Sequence, residues 1–170
     1  MMLMMDDAER KPIIRRGMVH RKGELSLFDV LNAVKRNPNI HLAGAIACFI
    51  GIVKSTGRDG SRVRKLEIEA AEEEANKTLT EICEKLMERE GVIDVHIHHF
   101  TGEFEVGEDL VYVVVAGRSR KDVFQALMDA VNMYKREAPI WKKEYTEKGA
   151  YWVIEEHDRE DNYSKDAPHL

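Results

Sequence analysis

The sequence predicts an α+β protein, a mostly antiparallel sheet with helices packed on it. Three observations lead there. From Ala43 onward the hydrophobic pattern changes in the order strand, strand, helix, strand, strand, helix, strand. The strand stretches are short and β-branched, whereas the two main helical stretches carry apolar residues at a spacing of three and four. With 170 residues and 44% hydrophobic content, the chain can fill one core and is too short for two.

Residues 1–11 are polar and Met-rich without a period, so they read as a flexible extension. Met1 to Met5 gives only a brief apolar start before Asp6, Asp7 and Glu9, so no signal peptide is expected. Pro12 to His20 suits an edge strand, where proline is tolerated at the start. Ser26 with Asp29 marks an N-cap, and Leu27, Phe28, Val30, Leu31 and Val34 form a helical stripe that Pro38 stops. Ala43 to Val53 is a strand read as buried on both faces, and Lys54 to Arg62 is a mobile loop. In the next strand, Val63 to Glu69, Leu66 and Ile68 face one way; Val63, Lys65, Glu67 and Glu69 face the other.

Glu72 to Glu90 is the longest helix, with Ala75, Leu79, Ile82, Cys83 and Leu86 on one face, acids in its first turn and Gly91 at its stop. Strands follow at Val92 to His99 and Leu110 to Ala116, then a helix from Lys121 to Arg136 that Pro139 breaks, then a strand at Tyr151 to Ile154. The predicted domain spans 12–157, and residues 158–170 read as a disordered tail.

Lys and Arg number 26 against 31 Asp and Glu, a net charge of -5, which argues against bulk nucleic-acid binding. No apolar run approaches the roughly 20 residues of a membrane span, so a soluble, cytoplasmic protein is expected. Cys48 and Cys83 have no metal or redox spacing and read as two buried thiols. His96 and His98 share one strand face while His99 points away, and a metal site needs three or four convergent ligands. Neither a metal nor a bound cofactor is expected.

No Gly-rich phosphate loop, no nucleophile with a paired base and no helical zinc motif is present. The strongest cluster is Lys-Arg-Glu-Ala-Pro-Ile-Trp-Lys-Lys-Glu, Lys135 to Glu144, where a helix ends, a proline turns the chain and a tryptophan anchors it. By composition alone, the plainer reading is that these lysines favour the helix dipole and stay solvated.

The same segment resembles the lysine motif of the molybdopterin synthase large subunit, and three others agree in order. Gly44 to Lys54 resembles the family strand ending Phe-x-Gly-x-Val-Arg. His99, Gly102, Phe104, Gly107 and Glu108 resemble its His-Arg-x-Gly-x-Leu-x-x-Gly-Glu turn. Arg120 to Phe124 resembles its His-Arg-x-x-Ala-Phe stretch. The likeness covers about residues 12 to 157. It implies an α/β hammerhead fold and a homodimer that binds two small ubiquitin-like β-grasp sulfur-carrier subunits, giving a heterotetramer. The partner's C-terminal Gly-Gly thiocarboxylate carries the sulfur, and the substrate is a cyclic pyranopterin monophosphate that receives the dithiolene. By matching positions, Lys135 and Lys142 are the catalytic lysines. Phe49, Lys54, Ser119, Arg120 and Lys143 are substrate-binding candidates.

Anionic phosphate, thiocarboxylate and developing oxyanion require fixed positive charge, and crowding Lys135, Lys142 and Arg120 would depress a lysine pKa. Several positions depart from the family pattern. Lys54 replaces an arginine, Ser119 a histidine and Phe100 an arginine; Arg58, Arg62, Arg64 or Arg118 are candidates to compensate. The alternative reading is a non-catalytic paralogue that still binds a β-grasp protein.

Overall fold

The computed structural model describes residues 14–153. Both terminal extensions, and the outer ends of the expected domain, lie outside those residues. The elements are β1 (Gly17–Arg21), α1 (Leu27–Lys35), a single 3₁₀ turn, β2 (Ala45–Ile52), β3 (Val63–Ala70), α2 (Glu72–Met87), β4 (Val92–Phe104), β5 (Asp109–Gly117), α3 (Arg120–Glu137), β6 (Ile140–Thr146) and β7 (Gly149–Trp152). The sheet order is β2-β5-β4-β3-β6-β7 with antiparallel neighbours, and β1 joins β4 in parallel.

β4 organises the molecule. Its first half, Val92 to His99, pairs with β5, and its end, Gly102 to Phe104, pairs with β3. The change of partner occurs at Gly102, whose φ of 122° an L side chain rarely adopts. One core lies between the sheet and α2 and α3, built from Ala75, Leu79, Ile82, Leu86, Val95, Ile97, Val111, Val113, Val115, Val123, Ala126, Ala130 and Tyr134. A second lies on the opposite face under α1, with Val30, Val34, Leu66, Ile68, Phe100, Phe104, Tyr112 and Val114. Each fully buried aliphatic side chain contributes about 1.5–3 kcal/mol by leaving water.

Most elements follow the sequence pattern. Ser26 caps α1 in a reciprocal capping box with Asp29, and α2 stops before Gly91, whose φ is +85°. Four expectations are corrected. β2 is not buried on both faces: it is an edge strand whose pattern alternates, leaving Cys48, Ile50 and Ile52 exposed. Cys48 is therefore not a buried thiol, although Cys83 is. Val63 faces the core with Leu66 and Ile68, because a register shift between Val63 and Lys65 reverses the alternation. Finally, the lysine segment after Pro139 forms β6, a strand that hydrophobic periodicity did not reveal because IWKKEYT is mostly polar.

Candidate functional site

Lys135 stands in the last turn of α3 and Lys142 in β6, separated by the turn at Pro139. Both are half-buried and both have partners within reach. They converge on His99 of β4, which is only 1% exposed. Burial, then the charges of Lys142 and Lys135, lower the His99 pKa to about 3, so the imidazole is neutral at physiological pH. Its Nδ1–H donates to the Phe100 carbonyl at 3.1 Å, because a carbonyl only accepts. The Nε2 atom therefore keeps a lone pair. Tyr134 packs edge-on against the ring, with centroids 5.7 Å apart, and fixes its plane.

This places a neutral base beside two ammonium groups in a buried setting. His99 was not among the candidates singled out in the sequence; its signal was the first position of the His-x-x-Gly turn. A cleft of about 470 Å³ opens at the junction of β1, β3 and β4, lined by Val19, Ile68, Ala70, Thr101 and four glutamates. Neither lysine nor His99 is among its lining residues, and Glu67 and Glu103 lie on the face of the sheet that carries Lys143. Tyr145 donates to Glu67 at 2.6 Å and Lys65 to Glu103 at 2.8 Å, which engages two of those four carboxylates.

One protomer does not gather the remaining candidates. Phe49 is half-buried on the α3 side of β2, and Lys54 is exposed just past that strand. Ser119 is the N-cap of α3, accepting from the Asp122 N–H at 3.3 Å, and Arg120 is the first helical residue. Fifteen residues at 1.5 Å each put Arg120 about 22 Å from Lys135, so the expected crowding of Arg120 with the lysines does not arise within one chain. Lys143 points to the face of β6 opposite Lys142, where its ammonium lies 5.4 Å from the Tyr145 ring and 5.5 Å from the Trp152 ring. Arg62 and Arg64 line a separate cleft with Glu105 and Glu147, and Phe100 is buried against Tyr112 under α1. Neither arginine joins the lysines within one chain.

Two ammonium groups beside a buried neutral imidazole concentrate positive charge that suits anionic groups. The comparisons make the class specific. The MoaE protein family matches residues 24–137. A molybdopterin synthase catalytic subunit of Pyrococcus abyssi is 37% identical over 110 residues, 65% of this chain and 74% of that protein. A probable molybdopterin synthase of Haloferax volcanii is 36% identical over 136 residues, 79% of this chain but 51% of that protein, so the chain spans about half of it. The crystal structure of molybdopterin synthase from Staphylococcus aureus superposes with a TM-score of 0.72 at 26% identity, covering 84% of this chain and 99% of that one. The chain belongs to the MoaE family.

Proposed function

We propose that this chain is the sulfur-transferring subunit of a molybdopterin synthase, acting on a cyclic pyranopterin monophosphate with a β-grasp thiocarboxylate as donor, in the cytoplasm. The observation that carries the reading is the convergence of Lys135 and Lys142 on His99. The ammonium groups hold the anionic donor terminus and the substrate phosphate, and His99, kept neutral by burial, leaves the positive charge of the site to the two lysines. The Pyrococcus abyssi relative is named a catalytic subunit, which implies a second subunit to bring the donor to the lysines.

The site is completed by a homodimer. Arg120 is a helix length from Lys135 in one chain, while Phe124 and Met128 stand exposed on α3, the helix packed on the Phe49 side of β2. Two-fold pairing of that surface brings the Arg120 end of one α3 toward the Lys135 end of the other.

Complementation tests this. Lys142→Ala and Arg120→Ala chains, each inactive alone, are co-expressed with the thiocarboxylated partner and assayed for dithiolene formation. Random pairing makes half the dimers mixed, and each mixed dimer carries one intact site, so about a quarter of parental activity returns. No recovery, with both variants folded and dimeric, assigns Arg120 and Lys142 to the same protomer or removes Arg120 from the site. Parental activity in the Lys142→Ala chain alone sinks the enzymatic reading.

A further inference from the structure

On the α1 face of the sheet, a second set of histidines plays no part in the lysine site. His20 Nε2 lies 2.8 Å from His98 Nδ1, and His98 Nε2 lies 3.1 Å from His96 Nδ1. His96 Nε2 lies 3.6 Å from Asp94 Oδ1. Arg16 Nε donates to that same oxygen at 2.8 Å, and Asn37 Nδ2 donates to Oδ2 at 3.0 Å. His98 is 0% exposed, Asp94 1% and His96 3%, while His20 is half-buried at the outer end. Three imidazoles thus run head to tail from the protein surface to a buried carboxylate.

We propose that His20, His98, His96 and Asp94 form a proton relay, in which a proton taken up at His20 Nδ1 is held at His96 as an imidazolium paired with Asp94. The direction follows from donor and acceptor counting. Asp94 is ionised: burial raises its pKa, but the His96 ring 3.6 Å away and the hydrogen bonds from Asn37 and Arg16 outweigh that and hold it at about 2. At 3.6 Å the contact is longer than a hydrogen bond, but the carboxylate charge favours the His96 tautomer that turns its N–H, on Nε2, toward Asp94. Neutral His96 then accepts at Nδ1, which requires Nε2–H on His98, and the same step requires Nε2–H on His20. The resting chain is polarised toward Asp94, and the acceptor at its outer end is His20 Nδ1.

A proton added there moves the chain by one place. His20 passes its Nε2 proton to His98 Nδ1, and His98 passes its own to His96 Nδ1. His96 now bears protons on both nitrogens, and His20 and His98 are neutral again with their protons on Nδ1. The net gain is one proton, and both inter-histidine hydrogen bonds have reversed. His98 cannot keep the charge, because it is buried between two imidazoles and its pKa is pushed well down by burial and by His96 and His20. His96 can, because Asp94 faces it, although Asp94 then balances Arg16 as well. At the outer end Glu24 and Glu72 act on His20 only across a half-exposed position. A metal ion does not account for the arrangement: the neighbours of His98 meet different nitrogens of its ring, and no three ligands converge among the described residues.

The relay predicts a spectroscopic pattern that independent histidines do not give. In the full chain with ¹⁵N-labelled histidine, one- and two-bond correlations at pH 8 should show Nε2–H on His20, His98 and His96. On acidification one midpoint should appear at all three residues, with His96 becoming doubly protonated while His20 and His98 exchange one neutral tautomer for the other. An Nδ1–H form at pH 8, three separate midpoints, or an imidazolium that stays at His20 would each overturn the relay. His98→Phe keeps the ring and cuts the chain. His20 should then titrate alone to an imidazolium, and its midpoint should separate from that of His96 by at least half a pH unit. Coincident midpoints in this variant would also overturn it, and the parental titration decides the matter if the variant does not fold.

Discussion

The two faces of β4 hold buried histidines one residue apart, and they have different surroundings. His99 projects toward α3, meets two lysines and has no carboxylate among the groups that shift its pKa. His98 projects toward α1 and is hydrogen-bonded to His20 and His96, with Asp94 3.6 Å beyond His96. Strand alternation alone separates them. What differs is the compensation each face supplies for a buried polar ring: aromatic packing and a backbone carbonyl on one side, a chain of acceptors and an ionised terminus on the other. A histidine's chemistry is therefore set by the face it lands on, and the faces can be tested separately.

The largest expected effect is acid destabilisation through His99. Its folded pKa of about 3 is below the ordinary 6.5, so between those values the unfolded chain binds the extra proton. Stability is therefore full above about pH 6.5 and falls as the pH drops toward 3, by on the order of 5 kcal/mol in total. His99→Gln removes that proton. Denaturant unfolding between pH 6.5 and 4.5 should show a slope shallower than the parent by about 1.4 kcal/mol per pH unit. Identical slopes would mean that His99 is not the buried base described.

Next comes catalysis on the same face. Lys142→Ala and Lys135→Ala should each lower the rate of sulfur transfer by about 10²–10³, or roughly 2.7–4 kcal/mol in the barrier, with far-ultraviolet circular dichroism unchanged. Variants converting precursor at the parental rate would place the chemistry elsewhere. Lys143→Ala sharpens the test, because Lys143 lies on the opposite face of β6 over Tyr145 and Trp152. It should retain most of the activity.

How much of this was legible beforehand differs between fold and site. α2 and α3 were readable because their apolar stripes repeat at helical spacing and Gly91 and Pro139 end them. β6 was hidden because its residues pair along two edges, with β3 and β7, while its side chains stay largely polar. The lysine pair came from a motif, and neither periodicity nor spacing gave it. His99 and the relay were obscure for a different reason. Histidine spacing shows which residues share a face, but the partners here, Lys135 and Lys142 for His99, Asp94 and His20 for the relay, depend on how β1, α3 and β6 assemble around β4. The 22 Å separation of Arg120 from Lys135 was in principle available from helix length alone.

A smaller effect belongs to the α1 face. Asp94 titrates at about 2 when folded against an ordinary 3.8, so its contribution is present above about pH 4 and is lost as the pH falls through 2. The shift corresponds to about 2 kcal/mol. Asp94→Asn should be less stable than the parent at pH 7, and the gap should narrow by about that amount at pH 2. A constant gap would mean that the carboxylate charge is not what Arg16, His96 and Asn37 engage.

The smallest expected effect concerns the donor. An extended tail gains affinity from main-chain pairing along an open sheet edge, and its terminal anion gains from the ammonium groups it meets. Glycines at its end let the tail approach the lysines closely, because they carry no side chain. The globular body of a β-grasp partner would supply most of the interface, so the tail adds only part of the binding energy. Removing the two glycines should weaken binding by at least about tenfold, roughly 1.4 kcal/mol, in titration calorimetry with full-length and truncated partner. The same truncation measured on Lys135→Ala, Lys142→Ala chains should cost less than on the parent, because the cations that read the terminus are gone. Equal affinities for both partner forms would show that the tail is not read, and the lysine face would lose its proposed sulfur donor while the relay on the α1 face stood unaffected.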